Sequence, residues 1–442
     1  MSKITGKKIG VVSLGCDKNR VDTEKMLAIL KERHRIVSEE ESAEIMIVNT
    51  CAFLASSRKE SIEEIIRRGL FKSDKLEKLI VTGCLPQKFA GELFDGLKEV
   101  DAFLGVSDYD KILDVIDGLY ENDERINCVG CPDKECGTSR VVTTGGYAYM
   151  KIADGCSNHC TYCLIPKIRG KYRSVPTADL IEEAKKLGEV KELILVAQDV
   201  TKYGEDLEPK TNLCQLLWSL TALSNVKSVR LLYCYPENVS DELIALLRNN
   251  PKMIRYVDIP FQHADDRILK LMNRKGTGEE YLNLVEKIKR EVPGIAIRST
   301  FIAGFPTEDE RAFDNLVNFL KKAKLFNAGF FPYSREEGTA AYNLDGQLPK
   351  SVKTARVKKL YSVQKKIVKE TLKSFVGKTF YVKAEGFDEN ASMYYGRAYF
   401  NAPDIDGKVY FFSEDEVEYG EHYRVKMMSF IDYDLYGQRT EE

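Results

Sequence analysis

Apolar runs alternate with amphipathic segments through the first part of the chain. The apolar runs cover residues 8–16, 44–51 and 78–84, and the amphipathic segments cover 22–33 and 59–71. Nearly continuous valine, isoleucine and leucine runs between helices are typical of a parallel sheet that is covered on both faces. The pattern predicts an open parallel α/β sheet domain, which we place at residues 1–125.

A second series of apolar runs occupies the middle of the chain. These runs cover residues 147–153, 192–198, 226–233, 254–260, 296–302 and 327–332, with helical patterns at 178–187, 213–223, 240–248, 279–291 and 308–323. Six strand–helix units fall short of the eight that close a TIM barrel. We therefore expect a partial (βα)6 TIM-like barrel over 147–373, with an open side that admits a macromolecule.

Short aromatic strands replace this alternation towards the carboxyl end. A charged helical segment at 350–373 is followed by strand patterns at 378–385, 393–400, 408–412 and 422–431. Short strands of this kind predict a small antiparallel β-barrel over 374–442. The polar residues 126–146, between the first two domains, are predicted to be a linker.

Composition narrows the class of function. The 442 residues include eleven cysteines and carry a formal charge of −2. We expect a cytoplasmic protein without a membrane partner, because the sequence has no long apolar run and no apolar signal core. Cysteines in a reducing compartment favour metal binding over disulfides. The balanced charge gives no support to a nucleic-acid substrate, and we expect no DNA partner.

Three closely spaced cysteines follow the first strand of the middle domain. Cys156, Cys160 and Cys163 form a C-x3-C-x2-C pattern. Three thiolates at this spacing can bind three irons of a [4Fe–4S] cluster and leave the fourth iron open, whereas electron-transfer sites close every iron with four cysteines. A zinc site is the alternative, but no partner pair follows at a zinc-finger spacing. We interpret the trio as a catalytic cluster site.

Each predicted strand of the first sheet also ends on a cysteine, namely Cys16, Cys51 and Cys84. In open α/β sheets, ligands bind at the carboxyl ends of the strands, where these side chains can converge. This placement predicts a second [4Fe–4S] cluster with three protein ligands and one open iron. The alternative is three inert thiols, which are common in protein cores.

Two further features bear on partners. Cys128, Cys131 and Cys136 lie in the predicted linker, and metal binding and incidental surface thiols explain them equally well. Residues 375–442 carry seven lysines and arginines against fourteen aspartates and glutamates, a net charge of −7. An acidic barrel would repel a phosphate backbone and attract a basic protein, unless the charges only solvate its surface.

The chain resembles the methylthiotransferases of the radical S-adenosylmethionine (SAM) superfamily over almost its whole length. The shared stretches are 13–24, 48–53, 81–87 and the cysteine segment, in which Tyr162 precedes the third cysteine. Further stretches favour the branch that modifies small-subunit ribosomal protein S-twelve, and these are 13–19, 165–174, 197–204, 256–264 and 401–407. Asp17 and Thr307 depart from that branch's usual proline and glycine, and neither is a predicted cluster ligand.

The resemblance implies the reaction and the partners. A methylthio group would replace a β-hydrogen of one aspartate in ribosomal protein S-twelve, either free or on the ribosome. The reaction would use two [4Fe–4S] clusters and two SAM molecules, with electrons from a protein such as flavodoxin or ferredoxin. The cysteine trio at 156–163 would start the radical step, and the trio at the strand ends would supply sulfur. The last domain would be a substrate-binding, TRAM-like barrel.

Three residues are candidates for SAM contacts. The resemblance places Tyr162, the aromatic of the cysteine signature, against SAM, although a loop-packing role is the alternative. Gly304 would let the adenine approach the backbone after the fifth strand. Gln198 ends the second strand and faces the expected site, with a structural role equally compatible.

Two other functions stay open at this point. A tRNA methylthiotransferase would use the same clusters, and a basic terminal barrel would favour it. A non-catalytic iron–sulfur protein that binds ribosomes is the second alternative. A cluster without an open iron would favour the non-catalytic protein.

Overall fold

The first sheet contains six parallel strands, which the sequence pattern only partly delimits. The computed structural model describes residues 3–38, 42–73, 75–133 and 139–441. The strands and helices of this part are β1 (Lys8–Ser13), α1 (Asp17–Leu30), β2 (Arg35–Ile36), β3 (Ile45–Thr50), α2 (Ala55–Gly69), β4 (Lys78–Gly83), α3 (Cys84–Gly96), β5 (Ala102–Leu104), α4 (Ile112–Glu121) and β6 (Ile126–Cys128). The strand order is β2-β1-β3-β4-β5-β6. The edge strand β6 thus uses residues that open the predicted linker.

Both faces of this sheet are buried, as the apolar runs predict. Ile45 and Ile47 pack on one face with residues of α1 and α4, whereas Met46 and Val48 pack on the other with residues of α2 and α3. Alternating side chains of one strand therefore enter two separate cores, which is why the run is apolar without a break.

The second sheet is an open barrel of six parallel strands. The strands and helices of this part of the chain are β7 (Tyr147–Lys151), β8 (Ala153–Asp154), α5 (Ile165–Arg169), β9 (Arg173–Ser174), α6 (Thr177–Lys186), β10 (Glu192–Val196), α7 (Leu213–Ala222), β11 (Val229–Leu231), α8 (Asp241–Asn249), β12 (Met253–Asp258), α9 (Asp266–Leu271), α10 (Gly278–Glu291), β13 (Ala296–Ala303), α11 (Glu310–Ala323) and β14 (Asn327–Pro332). Strands β8 and β9 pair with each other in a separate antiparallel sheet. The strand order of the open barrel is β14-β13-β12-β11-β10-β7, and β14 does not pair with β7. The partial barrel is confirmed.

A long helix joins this sheet to a closed barrel of five strands. The helix is α12 (Lys350–Phe375), and the strands are β15 (Thr379–Asp388), β16 (Met393–Arg397), β17 (Val409–Phe412), β18 (His422–Ile431) and β19 (Asp434–Arg439). The sequence pattern predicts four strands and is wrong about the fifth. Only Asp432 and Tyr433 separate β18 from β19, so the apolar pattern runs on without a visible break.

The closed barrel packs into the concave side of the open one. Tyr149, Ile194 and Tyr256 from the second sheet share a buried cluster with Val382 and Phe400 of the closed barrel. Charged side chains of the same sheet also meet the closed barrel, among them Glu192 and Arg230. In the part of the chain that the structure describes, no helix is long and apolar enough to cross a membrane.

Candidate functional site

Strand register brings two of the first three cysteines side by side. Thr50 of β3 pairs with Gly83 of β4, and Cys51 and Cys84 follow them directly. Cys16 lies in the loop after β1, immediately before α1. A Cβ atom on the neighbouring Gly15 would stand 3.2 Å from the Sγ of Cys51. The predicted convergence at the carboxyl edge of the sheet is therefore present in the fold.

Side-chain amides tie the three strand-end loops together. Asn19 donates to the carbonyls of Leu14 and Thr50 at 3.0 and 2.9 Å, and Asn49 donates to the carbonyl of Asn19 at 3.0 Å. Gly15 has a φ of +91°, and a Cβ there would lie 2.8 Å from the Cβ of Cys51. A glycine is needed at this position because both the backbone conformation and the close approach exclude a side chain.

Burial favours the neutral form of two of these thiols. It raises the pKa of Cys84 to about 12, and it also raises the pKa of Cys51, with neighbouring Cys16 adding to both effects. Iron ligation requires thiolates, and the positive charge of a bound cluster would stabilise them. The donor set thus fits a cluster with three cysteine ligands.

The second trio lies in the loop after β7. The backbone N–H groups of Asn158 and Ile165 point at the sulfurs of Cys156 and Cys163 at 3.5 and 3.4 Å. Burial raises the pKa of Cys163 to about 12, and the nearby Cys160 and Cys156 raise it further. Backbone donors to sulfur are a usual part of iron–sulfur sites, so this set also fits a cluster.

Distant segments hold the cysteine loop in place. Thr161 donates its hydroxyl to the carbonyl of Leu271 at 2.8 Å, and its own carbonyl accepts from Ala341 at 2.8 Å. Asn273 donates to the carbonyl of His159 at 3.0 Å. The His159 side chain is exposed, in keeping with its interpretation as a loop residue that is not a ligand.

One arginine connects the two trios. Arg169, at the end of α5, donates to Asn19 at 2.6 Å, to Asp22 at 3.1 Å and to Asp154 at 2.9 Å, and its Nη2 lies 3.8 Å from the Sγ of Cys84. Its side chain is 2 % exposed. Burial alone would lower the pKa of Arg169, but Asp154, Cys84 and Asp22 hold it well above its usual value. A permanent positive charge therefore lies beside Cys84 and beside Asp154, which precedes Cys156 by two residues.

Apolar periodicity does not mark Arg169 or its partners as functional residues. Lys151 completes the group through ion pairs with Asp22 and Asp154, the latter at 2.8 Å. Burial would raise the pKa of Asp154, yet Arg169 and Lys151 hold it far below its usual value. The position of Arg169 six residues after Cys163 is the only available signal, because periodicity does not reveal paired charges in an interface.

Two of the predicted SAM contacts, Gln198 and Tyr162, have different surroundings. Gln198 donates to Asp154 at 3.1 Å, and its Oε1 is buried without a hydrogen-bond partner. Tyr162 packs against an apolar group that includes Ile268 and Phe305. Burial raises the pKa of Tyr162, as does the neighbouring Cys160. Gln198 thus has an open acceptor, whereas Tyr162 supports the loop.

Gly304 is required by the approach of α12. It has a φ of +75°, and a Cβ there would lie 2.5 Å from Cγ of Lys353. Thr307, three residues later, has a φ of +66°. The latter value explains why glycine suits the position where this chain carries threonine. The turn after β13 thus contains two residues in a conformation that favours glycine.

A buried carboxylate, also missed from sequence, organises this turn. Glu308 accepts from the N–H of Gly304 at 2.9 Å, from Arg356 at 2.7 Å and from Nε2 of His263 at 3.1 Å. Nδ1 of His263 accepts from the N–H of Asp265 at 3.0 Å, so Nε2 carries the proton. Both side chains of the His263–Glu308 pair are fully buried. The turn after β13 is thereby linked to β12 and α12.

The described residues contain no site for a single metal ion. Within the described ranges, no three His, Cys, Asp or Glu side chains are arranged to hold one ion. In a [4Fe–4S] site each cysteine sulfur binds a different iron. The cysteine sulfurs of a cluster site are therefore farther apart than the ligands of a single metal ion. Cys131 is exposed and Cys128 half-buried, whereas Cys136 lies outside the described residues.

Family comparisons cover all three parts of the chain. Residues 150–320 match the radical SAM superfamily, residues 8–105 match the uncharacterized protein family UPF0004, and residues 376–439 match the TRAM domain. Together with the open barrel and the C-x3-C-x2-C loop, these matches define a radical SAM enzyme with an added amino-terminal sheet domain and a terminal TRAM barrel.

Curated relatives identify the family. The ribosomal protein uS12 methylthiotransferase RimO of Acetivibrio thermocellus is 45% identical over 448 residues, covering 99% of each chain. The protein of the same name from Caldanaerobacter subterraneus subsp. tengcongensis is 45% identical over 438 residues, covering 98% of this chain and 100% of the relative. The chain belongs to the RimO family of methylthiotransferases.

Solved structures show the same fold at low identity. The radical SAM methyltransferase TsrM from Kitasatospora setae, with cobalamin and a [4Fe–4S] cluster bound, aligns with a TM-score of 0.57 at 13% identity and covers 76% of this chain and 77% of its own. The cobalamin-dependent radical SAM enzyme OxsB aligns with a TM-score of 0.53 at 12% identity, over 84% of this chain and 61% of its own.

Proposed function

We propose that this chain inserts a methylthio group at the β-carbon of one aspartate of ribosomal protein uS12. The observation that carries the proposal is the pair of cysteine trios, each with three thiols, joined through Arg169. Curated relatives that match almost the full chain bear the name of that activity. A reaction that needs both a radical and a sulfur source requires two such sites close together.

Six cysteines would hold the two clusters. Cys156, Cys160 and Cys163 would hold the cluster at which SAM binds, and the strand-end trio Cys16, Cys51 and Cys84 would hold the other. When bound, the first cluster and SAM supply radical chemistry, and the second cluster supplies sulfur. Two SAM molecules per turnover follow from the need for one methyl group and one radical.

The protein's own residues would position these groups. The open acceptor of Gln198, beside Asp154, is suited to receive a donor group of SAM. The turn at Gly304, held by Glu308, would present backbone to the adenine. Tyr162 would keep the cysteine loop packed against α9 and the following turn.

Surface charge favours a basic protein as the substrate. Two of the barrel's seven cations, Lys383 and Arg397, are buried and paired with Glu192 at 3.0 and 2.9 Å. The loop between β17 and β18 exposes four acidic side chains, which are Glu414, Asp415, Glu416 and Glu418. Asp406 of the barrel is buried as well, against Arg298, and the exposed surface of the barrel remains acidic. Such a surface attracts the basic protein uS12 and repels tRNA.

Mass spectrometry of the product tests the substrate. The protein is reconstituted anaerobically with iron and sulfide, given SAM and dithionite, and offered uS12, its aspartate loop peptide or bulk tRNA. We expect a mass gain of one methylthio group on the uS12 peptide and none on tRNA. A gain on tRNA without a gain on uS12 would overturn the proposal in favour of the tRNA-modifying reaction.

A further inference from the structure

The exposed face of α12 carries an unusual concentration of positive charge. Nine lysines and arginines and a single glutamate occupy this 26-residue helix, in a chain whose overall charge is −2. Six of the lysines are exposed between positions 358 and 373, and these are Lys358, Lys359, Lys365, Lys366, Lys369 and Lys373. The acidic closed barrel begins directly after this helix.

Helical spacing places these six lysines on one face. Separations of seven and four residues recur within the set, as between Lys358 and Lys365 and between Lys369 and Lys373. At 100° per residue the six lysines fall within an arc of about 120°. The opposite face is buried through Leu360, Gln364, Val368 and Leu372. Lys365 forms an ion pair with the exposed Asp432 at 2.5 Å, and no other exposed lysine of the arc has an acidic partner among the described ion pairs.

The helix runs from the site to the closed barrel. Near its start, Lys353 donates to the carbonyl of Tyr333, just after β14, at 3.1 Å. Near its middle, Gln364 donates to the carbonyl of Leu325, just before β14, at 2.9 Å. At its end, the ring of Phe375 lies 5.0 Å from that of Phe400 in the closed barrel. The basic face, which begins at Lys358, thus extends beside β14 towards the amino end of that strand and the closed barrel.

We propose that this face of α12 binds the phosphate backbone of ribosomal RNA, so that the small subunit rather than free uS12 is the preferred substrate. The inference rests on the proposed function for the choice of RNA. A basic protein embedded in RNA presents positive charge from the protein and negative charge from the RNA phosphates. The acidic barrel and the basic helix lie side by side on this chain, which matches such a particle better than a free basic protein.

Charge removal on the full chain tests the inference. The variant carries Lys358→Gln, Lys359→Gln, Lys366→Gln and Lys369→Gln, which keep helix propensity and leave Lys353 and Arg356 intact. Its matched control carries Lys31→Gln, Lys98→Gln, Lys185→Gln and Lys210→Gln, four exposed lysines elsewhere. The probes are small-subunit ribosomal RNA freed of protein, intact small subunits and the uS12 loop peptide.

We expect the variant to bind the RNA at least about tenfold more weakly in 0.1 M salt. The slope of log affinity against log salt should fall by about 3, since each lost phosphate contact removes about 0.7–0.9. Methylthiolation should slow on small subunits and stay unchanged on the peptide. The control variant should match the wild type in all three assays.

Two results would overturn the inference. One is RNA binding by the variant that equals that of the wild type or of the control. The other is competition by polyglutamate as effective as competition by RNA, because that would assign the face to an acidic protein. RNA binding is measured without turnover and does not depend on methylthiolation. If the wild type modified no uS12 but the variant still lost RNA binding, the proposed function would be contradicted and the inference about α12 would stand.

Discussion

At the scale of single residues, paired buried charges matter as much as the cysteines. Arg169 contacts Cys84 of the strand-end trio and Asp154, which precedes Cys156 by two residues. A fork of fixed donors can satisfy Asn19, Asp22 and Asp154 at once, which a point charge such as lysine cannot. Arg169 therefore fixes the relation between the two cysteine sites.

Replacing Arg169 should destabilise the fold strongly. In Arg169→Gln, Asp22 and Asp154 lose their main cation in a buried interface, so we expect the free energy of unfolding to fall by about 3–5 kcal/mol. The free energy of unfolding of Arg169→Lys should lie between those of the wild type and Arg169→Gln, because lysine keeps the positive charge. Urea unfolding of the apoprotein measures this. Arg67→Gln, whose side chain is 58% exposed, is the control and should leave the midpoint unchanged. A midpoint for Arg169→Gln equal to that of the control would contradict the assigned role.

The sequence predicts candidate cluster ligands but not the residues that hold their loops. The cysteines at 156–163 were predicted from spacing, and Cys16, Cys51 and Cys84 from their places at strand ends. Which residues hold those loops depends on contacts between segments more than a hundred positions apart, as between Arg169 and Asn19. Such contacts leave no periodic trace in a single sequence.

At the scale of elements, the turn after β13 depends on Glu308. Its carboxylate receives the Gly304 N–H, Arg356 and His263 together, so three elements meet at one side chain. Helices with a clear apolar period, such as α7, α8, α10 and α11, were predictable from the sequence, whereas α3, α4 and the closing strand β19 were not. A two-residue turn there interrupts the pattern too briefly to be seen.

Removing the charge of Glu308 should weaken SAM binding. Glu308→Gln keeps the shape but places an amide donor against existing donors, and a hydrogen bond to a charged group contributes about 1.5–3 kcal/mol. We expect the Kd for SAM to rise by about tenfold or more in equilibrium dialysis. Glu310→Gln is the matched control, since Glu310 also pairs with Arg356 but is 83% exposed. An equal Kd for SAM in both variants would show that the turn does not contribute to SAM binding.

At the scale of the whole molecule, the carboxylate of Glu192 joins the closed barrel to the open one. Glu192 of β10 pairs with Arg230 of β11 and with Lys383 and Arg397 of the barrel. Burial alone would raise the pKa of Glu192, but Arg397, Arg230 and Lys383 hold it well below its usual 4.5. The barrel that carries the acidic surface is thus fixed to the sheet that carries the cysteine loop.

Loss of Glu192 should loosen the barrel at neutral pH. Glu192→Ala leaves three buried cations with fewer partners, at a cost of about 3–5 kcal/mol. Because the pKa of Glu192 is depressed in the fold, its contribution is present above about pH 4.5 and declines as the pH falls towards the folded value. Urea unfolding at pH 7 and in mild acid measures this. The control is Glu189→Ala, at an exposed neighbour paired with Lys191, and its stability should match that of the wild type. A loss of stability in Glu192→Ala that grew in mild acid would contradict the assignment.

Division of labour between the two cysteine trios is the central claim, and one measurement tests it most directly. Anaerobically reconstituted Cys156→Ala and Cys51→Ala proteins are given SAM, dithionite and the uS12 peptide, and 5′-deoxyadenosine and the methylthiolated peptide are quantified together. We predict that Cys156→Ala forms neither product and that Cys51→Ala still cleaves SAM without inserting sulfur. Methylthiolation by Cys51→Ala at the wild-type level would contradict the account.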